Sequence, residues 1–177
     1  PEIVAARSQK NGTTVVMTGK LPVDDVEARK AESVNSRTQL FQAAGGLAGL
    51  LEANPRVRVY LPASFPARVK DLVSGHGASV VEVAGPQEIC PSVYTTGVLG
   101  RRIKEQALVV RTGRGVVVLT GCAHPGVGAM VSEIHRLPPG DIALVMGGFH
   151  LEWSLSWKVR QIIAGIRECG VQCVAPT

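Results

Sequence analysis

The chain has 177 residues, 45% of them hydrophobic, 19% charged and only 4% aromatic, which supplies a core, excludes a disordered chain and suits one domain over 1–177. Its net charge of +5 is scattered, with Arg101, Arg102 and Lys104 the longest basic cluster, so with few aromatics to stack on bases no nucleic-acid partner is expected. No run approaches the ~18 apolar residues of a membrane span, Pro1-Glu2-Ile3 does not open a signal peptide, and four cysteines make no disulfide framework; the expectation is a cytoplasmic protein with no membrane partner.

Short β-branched runs alternate with amphipathic stretches along the chain. Thr13 to Met17 reads as a strand after the Asn11-Gly12 turn signal, so residues 3–17 form a hairpin. Asp24 to Val34 reads as a polar helix, and Thr38 to Ala53 as a second one weakened by Gly45, Gly46 and Gly49. A strand at Val57 to Leu61, a helix at Phe65 to Val73 and a strand at Ser79 to Val83 follow. Ala107 to Arg111 and Val116 to Leu119 flank Thr112-Gly113-Arg114-Gly115, a hairpin signal. Val127 to Leu137 is a helix stopped by Pro138-Pro139-Gly140, and Ile142 to Met146 is a strand ending at Gly147-Gly148. Ser156 to Cys169 carries an apolar stripe of Val159, Ile162, Ile163 and Ile166, with Gly170 to end it. A last strand starts over Val171 to Val174. Helices interleaved with hairpins predict a layered α/β fold.

Two strand ends carry candidate chemistry. In Leu119-Thr120-Gly121-Cys122-Ala123-His124-Pro125-Gly126-Val127 an apolar strand ends in a small-residue turn and a helix begins at once. His124 therefore sits at a strand's C-terminal edge beside a helix N-terminus, a common place for site residues in open α/β folds. Gly121 and Gly126 allow close backbone approach there. Val145-Met146-Gly147-Gly148-Phe149-His150-Leu151-Glu152 repeats the layout. Neighbouring parallel strands lie ~4.8 Å apart, so His124 and His150 can converge, and neutral imidazoles suit zinc or a similar ion. Glu152 is a further ligand or general base in that arrangement, and a solvated rim carboxylate otherwise. A lone histidine capping its turn is the competing reading for His124. The cysteines read as small buried hydrophobes, His76 as a loop histidine, His135 as an exposed helical one, and Trp153 with Trp157 as packing or a pocket wall.

The segment from Gln106 to Val127, with Gly121-Cys122-Ala123-His124-Pro125-Gly126, and then Gly147-Gly148-Phe149-His150-Leu151, resembles the metallo-β-lactamase superfamily. The branch is that of the dihydropterin-linked ribofuranosylaminobenzene phosphate synthase homologues. Weaker likeness covers Gly45-Gly46-Leu47, Tyr94-Thr95-Thr96-Gly97 and Val174-Ala175-Pro176-Thr177. The resemblance implies an αββα sandwich, here reduced at both ends, with a metal site along one sheet edge. It places His124 and His150 as metal ligands and catalytic residues, with Glu152 beside them, around one zinc ion that lowers the pKa of a water for attack on an ester, phosphoester or lactam.

The sequence also departs from that pattern. The superfamily's H-x-H-x-D-H motif is replaced by Arg37-Thr38-Gln39-Leu40-Phe41-Gln42-Ala43-Ala44, the early D-T-G Asp by Met17, and the chain stops at Thr177 where relatives continue to another ligand. The expected function is a metal-dependent hydrolase with a reduced ligand set acting on a small-molecule ester or phosphoester. Arg101, Arg102 and Arg114 are candidate anion contacts, with Arg114 placed at a hairpin tip. The alternatives are a non-catalytic relative serving as a binding or assembly module, and a pterin-phosphate pocket without hydrolysis. An uncovered sheet edge implies a homo-oligomer.

Overall fold

A computed structural model describes residues 2–8, 12–18, 47–137, 140–151 and 154–177. β1 (Glu2–Ser8) and β2 (Gly12–Thr18) pair antiparallel, from Glu2 opposite Thr18 to Ser8 opposite Gly12, as the turn signal predicts. β3 (Arg58–Pro62) joins β2 and β4 (Ser79–Val83) joins β3, both parallel. Among the described residues these make a 4-stranded sheet in the order β1-β2-β3-β4. Parallel neighbours need crossovers, and helices supply them. Residues 47–53 are the described part of helix α1, and α2 (Ala67–Gly75) links β3 to β4. The helix expected over Asp24 to Val34, and the start of the one expected from Thr38, lie outside the described residues.

The second sheet opens with a hairpin that the periodicity does not signal, β5 (Gln87–Cys90) and β6 (Val93–Thr95). β7 (Leu108–Thr112) and β8 (Gly115–Leu119) continue it antiparallel. The chain then crosses over α3 (Val127–His135) to β9 (Ile142–Gly147), and over α4 (Ser156–Glu168) to β10 (Cys173–Pro176), each parallel to its predecessor. The described order is β10-β9-β8-β7-β6-β5.

Side-chain alternation sorts these strands into layers. Val59 and Leu61 of β3 face Leu47, Leu51, Val69 and Val73 on α1 and α2, while Tyr60 between them faces Leu108 and Val83 in the space between the sheets. On the other sheet Val116, Val118 and Val145 meet Val127, Met130, Val131 and Ile166 of α3 and α4. Burying each such Val or Leu contributes roughly 1.5–3 kcal/mol. The result is helix, sheet, sheet, helix: the expected αββα sandwich. One buried polar strut crosses between the sheets. Thr95 Oγ1 donates to Gln106 Oε1 at 2.6 Å, and Gln106 Nε2 donates to the Tyr60 carbonyl at 3.1 Å.

Two expectations about side chains need correction. None of the cysteines is fully buried: Cys90, Cys122 and Cys169 are half-buried and Cys173 is exposed, because β10 is an edge strand. The stripe on α4 is only partly covered: Ile166 is buried, whereas Ile163 is 48% exposed and Trp157 64% exposed. Trp157 is not among the residues that line the cavity beside α4, and Trp153 lies outside the described residues. His76 ends α2 with Nδ1 against the Leu72 carbonyl, and His135 is exposed on α3, both as expected. Among the described residues no helix is long and apolar enough to cross a membrane.

Candidate functional site

Register brings the two strand ends together. Leu119 of β8 lies beside Met146 of β9, and the Thr120 N–H donates to the Met146 carbonyl at 2.9 Å. Both chains thus leave the sheet at one edge. Two glycines let them lie so close. A methyl on Gly147 would fall against the Thr120 carbonyl oxygen and 2.5 Å from its Oγ1, and one on Gly148 would sit 3.0 Å from the Cys122 α-carbon. Gly147 also has φ 134°, a conformation closed to most L residues. The sequence points instead to Gly121 and Gly126 for this role. A methyl on Gly126 would meet open space, and that residue serves as the N-cap of α3 at φ 100°.

From these turns the structure brings His124 and His150 into contact. Their ring centroids are 4.6 Å apart with planes at 62°, edge to face. Glu152 lies outside the described residues.

A residue with no sequence signal stands behind His124. Glu105 is fully buried, and its Oε1 meets His124 Nδ1 at 2.5 Å and accepts the His124 backbone N–H at 3.2 Å. Its other oxygen, Oε2, is buried with no hydrogen-bond partner among the described residues. A two-way backbone bridge with Leu99, at 2.7 and 3.0 Å, pins Glu105 in place. That bridge closes a loop carrying Arg101 and Arg102, both exposed. The loop is seated on the His124 turn: a methyl on Gly100 would lie 2.8 Å from the Pro125 side chain. Arg114 is at the opposite end of β8, on the hairpin tip, and takes no part. His150 also lines a cavity of about 490 Å³ whose other walls include Phe149, Leu151, Ile162 and Ile166.

A carboxylate on Nδ1 leaves Nε2 as the lone-pair nitrogen of His124, the form in which imidazole binds a metal. In donor chemistry the two imidazoles fit a zinc-like ion. A catalytic zinc usually takes three protein ligands, and among the described residues no group of three His, Cys, Asp or Glu side chains could hold a metal. The pair fits part of a ligand shell, and the described residues do not complete it.

No protein-family model matches the sequence. Over 69 residues, 38% of this chain and 24% of the relative, it is 29% identical to the 7,8-dihydropterin-6-methyl-4-(beta-D-ribofuranosyl)-aminobenzene-5'-phosphate synthase of Methanocaldococcus jannaschii, the branch to which the two histidine motifs point. Among solved structures it is similar to Tm1679, described as a metal-dependent hydrolase of the beta-lactamase superfamily. That match has a TM-score of 0.57 and 24% identity, covering 68% of this chain and 59% of that one. The chain spans about a quarter of the curated relative's length and 59% of the solved one's. Sheet order, layers and this structural likeness agree: the chain has the metallo-β-lactamase fold.

Proposed function

We propose that the chain carries the histidine pair of a metal-dependent hydrolase that cleaves an ester, phosphoesters being the preferred class. The observation that supports this is the 4.6 Å contact of His124 and His150 at adjoining strand ends, with Glu105 bonded to the first ring. His124 and His150 would hold zinc, which when bound supplies a Lewis acid and a water activated near neutral pH. The rest is work for the chain's own groups. Glu105 holds the His124 ring through Nδ1 and leaves Nε2 as the donor nitrogen. Arg101 and Arg102, on the loop that Glu105 closes, supply positive charge next to the turn, and the backbone N–H groups at the start of α3 favour an anion there. That charge is why a phosphoester suits the site better than a neutral ester or a lactam.

The competing reading, a non-catalytic module for binding or assembly, draws on the missing third ligand among the described residues. One experiment separates them: metal content of the purified chain, followed by turnover of chromogenic phosphate mono-, di- and triesters, carboxylesters and lactams. The hydrolase reading expects stoichiometric zinc and phosphoester turnover. It expects His124→Ala and His150→Ala each to lose more than the roughly 10–100-fold that removing a mere supporting partner costs. Metal-free, inactive wild-type protein, or unchanged turnover in His124→Ala, defeats it.

A further inference from the structure

Glu105 is a costly residue to keep where it is. A carboxylate has about four acceptor positions, and this one is fully buried, with one oxygen used twice and the other, among the described residues, not at all. An unsatisfied buried polar atom carries a desolvation cost, larger if charged, that an apolar side chain of similar size would avoid. Its neighbours Ala107 and Leu99 are ordinary hydrophobic core. What the acid does make is a two-point grip on one residue, His124, through its backbone N–H and its ring Nδ1. The backbone contact sets where the residue sits and the ring contact sets which nitrogen carries hydrogen.

We infer that Glu105 is the positioning residue of the site, holding His124 in the Nδ1–H tautomer so that Nε2 is the lone-pair nitrogen. The inference deepens the proposed hydrolase site and rests on that reading for its purpose, but the tautomer itself is set in the protein without metal. Glu105 does not touch substrate. It acts only through the ring it holds.

The test is a long-range proton–nitrogen correlation spectrum of the ¹⁵N-labelled, metal-free chain. His76 supplies an internal standard, since its Nδ1 faces a carbonyl that can only accept, at 2.8 Å from Leu72 O, so it too must be Nδ1–H. Wild-type His124 is expected to show the same pattern as His76. In Glu105→Leu, which removes both acceptor oxygens, the His124 signals should move to Nε2–H or to a mixture while His76 stays fixed. Glu105→Gln, which keeps one acceptor oxygen, should restore the wild-type pattern. Zinc titration of the same proteins should show affinity weakened roughly 10–100-fold in Glu105→Leu. A wild-type His124 in the Nε2–H form, or an unchanged tautomer in Glu105→Leu, overturns the inference, and the wild-type spectrum decides even if the leucine variant fails to fold. A correct tautomer response in a chain that binds no zinc upholds the positioning role and sinks the hydrolase reading.

Discussion

Removing the His124 ring should destabilise the fold, and removing Glu105 as well should restore part of the loss. In His124→Ala the carboxylate of Glu105, fully buried, keeps only the backbone N–H at 3.2 Å, and its Oε2 is already without a partner among the described residues. Leaving a buried polar group without its hydrogen-bond partner costs about 1–3 kcal/mol, more for a charged one. The His124 side chain is 20% exposed, so water can reach the vacated space, which holds the expected loss to about 3 kcal/mol. For a chain of this size that is a fall in Tm of roughly 6–12 °C. Glu105→Leu forfeits the bond to the ring but also eliminates the unsatisfied oxygen, so its own cost is expected within about 1 kcal/mol. The double variant should then be about 2 kcal/mol more stable than His124→Ala, a coupling energy of about 2–3 kcal/mol. Urea unfolding of wild type, the two single variants and the double variant measures it. If His124→Ala melts within about 1 °C of wild type, or if adding Glu105→Leu lowers stability further, the carboxylate and the ring are not a coupled pair.

Two other outcomes follow from the geometry of the strand ends and the sheet edge. Gly147→Ala sets a methyl against the Thr120 carbonyl at φ 134°, and strain plus overlap should cost about 2–4 kcal/mol; thermal melting that stays within 2 °C of wild type would show that the turn yields easily. Leu155, Trp157, Ile163 and Val174 are 45–64% exposed on or beside α4 and β10, and among the described residues β10 pairs with β9 alone. We expect these groups to be covered by a second copy, with light scattering giving a dimer and Trp157→Glu reducing it; a monomer at micromolar concentration would refute the homo-oligomer.

Much of the architecture is legible in the sequence because it rests on periodicity. The Thr112-Gly113-Arg114-Gly115 turn between two apolar runs leaves little else than the β7–β8 hairpin, and the burial of alternate residues in β8 follows it residue by residue. The β5–β6 hairpin is not legible. Gln87-Glu88-Ile89-Cys90 has no β-branched run, β6 is three residues long, and the turn depends on Ser92 at φ 67° in place of a glycine. The two histidines are legible as strand-end residues, and their contact is a consequence of parallel pairing between β8 and β9. Glu105 is invisible to the same reasoning. It lies 19 residues before His124, next to Lys104 and the basic cluster of Arg101 and Arg102, outside both histidine motifs. Its place is set by the bridge to Leu99 and the two contacts with His124, and these are tertiary contacts.

Backbone strain gathers at the same place. Among the described residues, non-glycine positive φ occurs at Ser92, Ala123 and His150. Ser92 sits in the tight turn of a hairpin, where such a conformation is needed to reverse the chain. Ala123 at φ 51° and His150 at φ 52° have no such excuse, since both lie in loops leaving parallel strands. Each costs on the order of 1–3 kcal/mol, and the unsatisfied oxygen of Glu105 costs a similar amount, in a fold whose net stability is expected to be about 5–15 kcal/mol. Relaxed loops would be more stable, but they would not carry the two rings from adjoining strand ends into edge contact with one of them gripped from behind. These three local costs fall at the two turns that carry His124 and His150, which favours the proposed site over a reading in which the histidines cap their turns.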